Sequence, residues 1–199
     1  MKALSTILYN TTHRPKEIIF EKPSVKFFQK IFILYWFFAI LGHYIESAWA
    51  QYNQVFNGQA PWKLIIPTVT PAAAPYGIGA VIIYLVVWPL VKSRRINPIG
   101  VLILTIIIAA IVEYICAAII VIIAGHNIFW NYSHNPFNLN GYICLESVTQ
   151  FGIVATIVTY SLFPSIEKIM KKLNNSQFNL IFWTLFITYS LDLIYATLK

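Results

Sequence analysis

The sequence is poor in charged residues. Of its 199 residues, 11% are charged and 58% are hydrophobic, and the mean hydropathy is +0.68. A soluble domain carries about 25% charged residues, so this composition excludes an ordinary soluble protein. The net charge of +7 does not indicate nucleic-acid binding, because the basic residues lie in short loops and form no soluble basic patch interleaved with aromatics. The composition indicates a polytopic membrane protein.

Cysteines and nucleotide-binding motifs are also scarce. The only cysteines, Cys116 and Cys144, form neither a CxxC pair nor a zinc-binding spacing. Both lie in apolar runs and are predicted to be buried thiols. The chain lacks GxxxxGK[ST] and GxSxG motifs, which excludes a P-loop and a nucleophile elbow. Any dependence on ATP would therefore come from a partner.

Five apolar runs are long enough, or nearly so, to cross a bilayer, which takes ~20 helical residues. They predict an all-α fold, a polytopic transmembrane helix bundle of about five spans. A cytoplasmic N-terminal segment, 1–27, is expected before a transmembrane helical domain, 28–199. No cleavable signal peptide is recognisable, and we expect the first span to remain as an anchor. The runs cover about 28–49, 74–91, 98–124, 142–163 and 178–198.

The basic residues predict the orientation of these spans. Most of them precede the first span or lie between the second and third and between the fourth and fifth, whereas the other loops contain only Lys63. The positive-inside rule then places the N-terminus in the cytoplasm and the C-terminus outside. Between the first two spans, an apolar run too short to cross the membrane is punctuated by proline. It predicts a re-entrant segment near 61–74, which is tolerated if it is buried or lines water.

Four of the seven acidic residues lie inside the apolar runs: Glu46, Glu113, Glu146 and Asp192. A carboxyl group there costs several kcal/mol unless it is protonated, paired or hydrated, which marks each as a candidate functional residue. With the predicted orientation, all four fall toward the outer side. Apart from Lys30 at the start of the first run, no Lys or Arg lies in the spans to pair with them. His43 precedes Glu46 by three residues and shares its helix face.

Polar residues at helical spacing predict which face of the fourth span points inward. Glu146, Thr149, Gln150, Thr156 and Tyr160 follow one stripe. We therefore expect Glu146 and Gln150 to face the other helices and to line the site. In the third span, alanines surround Glu113, and such small faces allow helices to approach closely.

Several chemistries suit these carboxyl groups. His43, Glu46, Glu113 and Glu146 are candidate ligands of a divalent metal, although no HExxH motif is present and no other cofactor is evident. Neighbouring carboxyls can instead share protons as a relay or an acid–base pair. They can also bind a cationic or polyhydroxyl substrate. Protonated carboxyls that hydrogen-bond to one another in a purely structural role remain the simplest alternative.

Three segments resemble a known family. Residues 130–146 read WNYSHNPFNLNGYICLE, residues 75–80 read PYGIGA, and residues 42–49 read GHYIESAW. They are similar to motifs of the ABC-transporter type IV, or CmpB-like, permeases of bacteria, over most of residues 30–163. The resemblance implies a multi-pass protein of the bacterial plasma membrane with a separate ATP-binding subunit, and dimerisation or a second permease. Position 131 is Asn, where the family usually has Asp, so a cation-binding or proton-transfer role there would fall to Glu46, Glu113 or Glu146.

The loop before the fourth span carries its own signals. Asn135-Pro136 and further asparagines mark turns, and Gly141 allows a tight entry into the helix. A loop ordered in this way can cap the carboxyl site, so Trp130, Asn131 and Tyr132 join His43, Glu46, Glu113, Glu146, Gln150 and Asp192 as candidate substrate-binding residues.

Three functions follow from these residues. The first is a permease-like transport component with an acidic, outer-facing cavity for a small polar or cationic solute. The alternative is an intramembrane enzyme that acts on a lipid or lipid-linked substrate at the outer leaflet through a carboxylate and histidine site. The third is a scaffold whose buried acids are structural. Membrane lipids are expected partners in every case, and a homodimer is a further candidate assembly.

Overall fold

The computed structural model describes residues 17–57, 73–127 and 130–198. Across these residues, five helices are long and apolar enough to cross a membrane, which confirms the predicted all-α fold. The predicted re-entrant segment lies outside the described residues, apart from Ala73 and Ala74. The helices are α1 (Val25–Asn57), α2 (Ala74–Lys92), α3 (Pro98–Ala124), α4 (Leu145–Lys172) and α5 (Asn175–Leu198).

The helix ends follow from local sequence. Before α3, the side chain of Asn97 accepts a hydrogen bond from the backbone N–H of Gly100 at 2.8 Å, and Pro98 occupies the first helical position. At its other end, Gly125 adopts a left-handed φ of 77°, which terminates the helix. Helix α4 closes with Lys171 and Lys172 in its last turn, where cations are favoured by the helix dipole.

The core lies among α1, α2, α3 and α4. Phe163 of α4 is fully buried at its centre. Its ring makes edge contacts with Phe38 of α1 and with Tyr84 and Trp88 of α2, at centroid distances of 5.6, 5.3 and 6.1 Å. Edge-to-face packing is the favoured aromatic geometry, so one side chain joins three helices.

Two glycines let helix backbones approach closely. A Cβ atom at Gly42 of α1 would overlap the ring of Tyr76, and one at Gly152 of α4 would overlap Ile106 of α3. Beside the second contact, Thr105 Oγ1 donates a hydrogen bond to the Gly152 carbonyl at 3.0 Å. Such contacts are typical of helices that associate in lipid. They also fix the rotation of α4 about its own axis.

Side-chain contacts define the direction of each helix. Helices α2 and α4 run parallel, since Tyr76 contacts Phe151 near their starts and Trp88 contacts Glu167 near their ends. We call the end of the bundle where α2 and α4 begin the Glu113 end, and the opposite end, where α2 finishes, the Lys92 end. Successive helices α1 to α4 alternate in direction between these ends.

Helix α5 lies at the edge of the bundle. It runs parallel to α1 and packs against it through aromatic rings, with Trp36 and Tyr189 at a centroid distance of 4.9 Å. At the start of α5, Lys26 Nζ donates to Asn175 Oδ1 at 2.9 Å. Most of its large apolar side chains are exposed, including Leu180 and Leu191, as expected for a helix surrounded by lipid.

Candidate functional site

Glu113 of α3 is a buried acidic residue with an exposed fraction of 8%. Ser147 Oγ of α4 lies 2.9 Å from its Oε1 atom, to which it donates a hydrogen bond, and 3.1 Å from the Tyr132 hydroxyl. A serine hydroxyl carries one proton and can accept others. When Ser147 donates to Glu113, the Tyr132 hydroxyl can donate to Ser147, and a hydrogen-bonded row reaches from the loop to the carboxyl group.

Ser147 owes its position to the start of α4. Cys144 is the N-cap residue, and its Sγ atom accepts from the Ser147 backbone N–H at 3.5 Å. The first turn of α4 therefore faces Glu113. The partial positive charge of a helix N-terminus stabilises nearby negative charge, so this arrangement suits a carboxylate as well as a carboxylic acid.

Tyr132 is presented by a folded loop, residues 130–144, which we call the 130–144 hairpin. Its short strands β1 (Asn138–Leu139) and β2 (Ile143–Cys144) pair antiparallel. The Tyr132 N–H donates to the Gly141 carbonyl at 2.9 Å, and Trp130 Nε1 donates to the Tyr142 carbonyl at 2.8 Å. These bonds fix the backbone on both sides of Tyr132. Gly141 has a φ of 69°, which glycine adopts without strain.

Two further groups complete the site. The carboxyl group of Glu46 on α1 lies close enough to Glu113 for the two to interact electrostatically. The hydroxyl of Tyr76 on α2 lies close enough to Glu46, Glu113 and Tyr132 for their charges to act on it. We call these residues, with Ser147, the carboxyl cluster.

Tyr132 acts as a protonated hydroxyl in this cluster. Burial raises the pKa of the Tyr132 phenol, and the negative charge of Glu113 raises that pKa further. The phenol therefore keeps its proton at neutral pH and remains a hydrogen-bond donor. Such a donor can adjust its hydrogen bond when the charge of the carboxyl groups changes, without itself ionising.

Among the described residues, the acidic groups of the carboxyl cluster have no cationic partner. The ion pairs between two described residues join Glu21 to Lys30 and Glu167 to Lys92, and neither involves Glu46 or Glu113. Neighbouring carboxyls in a low-dielectric environment do not both ionise readily. The cluster can therefore share protons, or it can bind a positively charged ligand that replaces them.

The predicted metal ligands are not assembled in this structure. Within residues 17–57, 73–127 and 130–198, no three His, Cys, Asp or Glu side chains come together as a metal site. Among the four candidates, Glu46 and Glu113 are neighbours. His43 is half-buried on α1, and its Nδ1 atom has no hydrogen-bond partner among the described residues.

The prediction that Glu146 and Gln150 of α4 face the other helices is wrong. Glu146 and Gln150 are exposed, and Gln150 Nε2 donates to Glu146 Oε1 at 3.2 Å. Tyr160 is likewise exposed, whereas Thr156 bonds to Thr105. The close approach of Gly152 to α3 sets this rotation, so the buried face consists of other residues. These are Ser147, Val148, Gly152, Thr159 and Phe163.

The remaining predicted residues are Asp192 on α5 and Trp130 and Asn131 of the hairpin. Asp192 is buried on α5, which packs against α1. Asn131 Oδ1 accepts hydrogen bonds from the Ser133 N–H at 2.9 Å and hydroxyl at 2.6 Å. Asn131 thus shapes the hairpin together with Trp130, while Tyr132 interacts with Glu113 both directly and through Ser147.

The half-buried carboxyl group of Glu167 was missed from the sequence. Glu167 Oε1 accepts hydrogen bonds from Tyr84 Oη and Trp88 Nε1, both at 2.9 Å, and from Lys92 Nζ at 3.2 Å. The three donors recur every four residues on α2. That spacing was a usable signal for a polar face, but their acceptor lies beyond the predicted end of the fourth span at residue 163.

An apolar groove of about 380 Å³ lies elsewhere, between α1 and α2. Its lining contains no acidic residue and is formed by Phe28, Ile31, Phe32, Tyr35, Ile78, Val81 and Ile82. The lining of the groove therefore shares no residue with the carboxyl cluster, and it suits apolar groups such as lipid chains.

Comparisons with known proteins agree with the resemblance of the loop and helix motifs. No curated protein and no solved structure matches the chain. A family model described as "Putative ABC-transporter type IV" matches residues 33–197, which include all five residues of the carboxyl cluster. The chain therefore belongs to this family of multi-span membrane proteins.

Proposed function

We propose that this chain is a permease-like transport component of the bacterial plasma membrane, in which the carboxyl cluster binds a small cationic or polar solute. The family to which the chain belongs supports a role in transport. The observation that carries the binding site is the proximity of Glu46 and Glu113 on membrane-spanning helices, without an ion pair among the described residues.

The orientation of the chain supports access from the outer side. Lys92, Arg94, Arg95 and the lysines at the end of α4 all lie at the Lys92 end. The positive-inside rule assigns that end to the cytoplasm. The Glu113 end then faces outward, and the cluster lies in the outer half of the membrane.

Each residue of the cluster has a distinct part in this proposal. Glu113 and Glu46 attract the positive charge of the solute or exchange it for a proton. Ser147 and Tyr132 adjust their hydrogen bonds to the charge of Glu113, which they contact as a row. Tyr76 supplies a further neutral hydroxyl. A site with neutral donors and acidic acceptors selects against anions.

Cation binding is the first test. The purified protein in lipid nanodiscs is unfolded by heat at constant ionic strength with Na⁺, Mg²⁺ or spermidine as probe cations, and with N-methylglucamine as the reference. At least one probe is expected to raise the melting temperature of the wild type. Glu113→Gln and Glu46→Gln are expected to remove that rise because each deletes one acidic group.

Glu146→Gln is the matched control. This acid lies one residue from Ser147 but is exposed and bonded to Gln150, so the cation response is expected to persist in the variant. A response that disappears equally in all three variants would indicate general charge effects and count against the site. A wild type whose melting temperature responds to none of the probe cations would count against cation binding by the cluster.

A partner search tests the transport role independently. The tagged chain is extracted from its native membrane in mild detergent, and co-purifying proteins are measured by quantitative mass spectrometry. A stoichiometric ATP-binding subunit is the expected result, since the chain lacks a P-loop. Turnover of a lipid by the chain alone, with no such subunit, would favour the outer-leaflet enzyme instead.

A further inference from the structure

The 130–144 hairpin lies well short of the end of α3. Asn140 Nδ2 donates to the Tyr114 hydroxyl at 2.8 Å, and the rings of Tyr142 and Tyr114 lie 5.3 Å apart. Tyr114 precedes Ala124, the last residue of α3, by ten positions. At 1.5 Å per residue, the helix continues for ~15 Å past the level at which the hairpin is attached.

The continuation of α3 is entirely apolar. Residues 115–124 contain no charged side chain, and they belong to the most hydropathic span of the chain. Ile115, Ile119, Ile122 and Ile123 are exposed along it. Isoleucines exposed along about two and a half helical turns indicate lipid around them, so the acyl region of the membrane is expected to extend past the level of the hairpin.

The side chains of the hairpin suit the same environment. Residues 130–144 contain no Asp, Glu, Lys or Arg. Phe137 is 83% exposed and Leu139 is 54% exposed. Leu139 pairs with Ile143, and Asn138 pairs with Cys144, the N-cap of α4. The two exposed apolar residues therefore lie near the start of α4, on the level of Glu113 and Tyr114.

The polar groups of the hairpin are largely satisfied within it. Asn138 Nδ2 donates to the Asn135 carbonyl at 2.8 Å, and Asn138 Oδ1 accepts from the Gly141 N–H at 3.1 Å. The Asn135 N–H donates to the Tyr132 carbonyl at 2.8 Å. Irregular backbone is costly at membrane depth unless its polar groups are paired, and these bonds lower that cost.

We infer that the 130–144 hairpin is a re-entrant element that inserts Phe137 and Leu139 among the lipid acyl chains of the leaflet at the Glu113 end. The carboxyl cluster then lies beneath a loop embedded at the membrane interface, instead of beneath a loop in bulk solvent. This placement follows from the depth of the hairpin and its exposed side chains, and it does not depend on which solute the cluster binds.

The depth of single spin labels tests the inference. Phe137→Cys and Leu139→Cys are introduced one at a time into a C116A/C144S background, labelled and reconstituted in nanodiscs. Their accessibility to oxygen and to a water-soluble nickel chelate is compared by electron paramagnetic resonance. Both labels are expected to favour oxygen over nickel. A label at Ile107→Cys, on the exposed apolar surface of α3, gives the reference for the acyl region.

The geometry also predicts an order of depth. Ile123 lies nine residues beyond Tyr114 on α3, so a label at Ile123→Cys is expected ~13 Å farther out along the helix and measurably shallower than one at Leu139. His134→Cys, exposed in the same hairpin, is expected to be the most accessible to nickel. Nickel accessibility at Leu139 equal to that at His134 would overturn the inference.

Two other outcomes are decisive. Exclusion of both reagents at Leu139, with dipolar broadening between labels, would place a second copy of the chain on the hairpin and overturn lipid insertion. Failure of the Phe137 variant to fold leaves the test to Leu139, because Phe137 has a left-handed φ of 52° and Leu139 lies in a regular strand. Elution as a single species by size exclusion checks the fold of each variant.

Discussion

The carboxyl sites of Glu113 and Glu167, at opposite ends of the bundle, differ in their partners. Glu167 at the Lys92 end accepts from a lysine, a tryptophan and a tyrosine, all on α2. Glu113 at the Glu113 end accepts from Ser147 and interacts with a second acid, Glu46. The first site is neutralised and joins α2 to α4. The second holds acidic groups without a described ion pair, which is the arrangement expected for exchangeable charge.

The largest effect is expected from breaking the neutralised site. Glu167→Leu removes the acceptor of Tyr84 and Trp88, and each buried donor left unpaired costs about 1–3 kcal/mol. We expect the free energy of unfolding to fall by about 2 kcal/mol or more. Reversible unfolding in mixed micelles with increasing SDS measures this. A change no larger than that of an exposed apolar substitution would show that the site does not hold α2 and α4 together.

The isosteric substitution Glu113→Gln, at the opposite end of the bundle, should not lower the free energy of unfolding. Glu113→Gln keeps an acceptor for Ser147 and removes a charge that is costly to bury. We expect unfolding free energy equal to or about 1 kcal/mol above that of the wild type, together with loss of the cation response. The same SDS titration measures it beside Glu167→Gln, which should destabilise. If both glutamines destabilise equally, the contrast between the two ends is wrong.

A smaller effect is expected when the hydroxyl row is shortened. Tyr132→Phe removes one donor from Ser147 and should lower the free energy of unfolding by about 1 kcal/mol. Because the pKa of the Tyr132 phenol is raised in the folded protein, its contribution is fully present below the pKa of the unfolded state, about 10. Above that pH the unfolded state loses its proton first, and the contribution declines.

Comparing the stability of the wild type and of Tyr132→Phe across pH isolates the contribution of the Tyr132 phenol. Between pH 7 and pH 9, the stability difference between wild type and Tyr132→Phe should be constant. Above about pH 10 the difference should shrink, by at most about 1.4 kcal/mol per pH unit. Unfolding of both proteins by SDS at each pH measures it. A difference that grows with pH would mean that the phenolate, and not the phenol, is favoured by folding.

Part of this contrast was predictable from the sequence. Hydropathy located the five helices, and the cost of an acid in an apolar run identified Glu113 and Glu46. Ser147 and Tyr76 were missed because hydropathy does not specify helix rotation or which hydroxyl faces an acid. Glu167 was missed because apolar character declines after Phe163, while backbone hydrogen bonding continues α4 to Lys172.

The smallest effect on the free energy of unfolding is expected at Glu146, whose exposure follows from the rotation of α4. Glu146 was predicted to share the site with Glu113, but Gly152 packs against Ile106 and turns Glu146 outward, where it bonds to Gln150. An exposed pair of this kind contributes little to stability. Glu146→Gln should therefore change the free energy of unfolding by less than about 0.5 kcal/mol, in the same SDS titration.

A substitution at Gly152 tests whether the rotation of α4 determines which acid, Glu113 or Glu146, lies at the binding site. Gly152→Ala places a Cβ against Ile106, and the overlap should move α4 away from α3 and disturb the bond between Ser147 and Glu113. If the rotation of α4 governs the site, Gly152→Ala weakens the cation response while Glu146→Gln leaves it intact. A response lost in Glu146→Gln but kept in Gly152→Ala would mean that the exposed face of α4, not the face toward α3, carries the binding site.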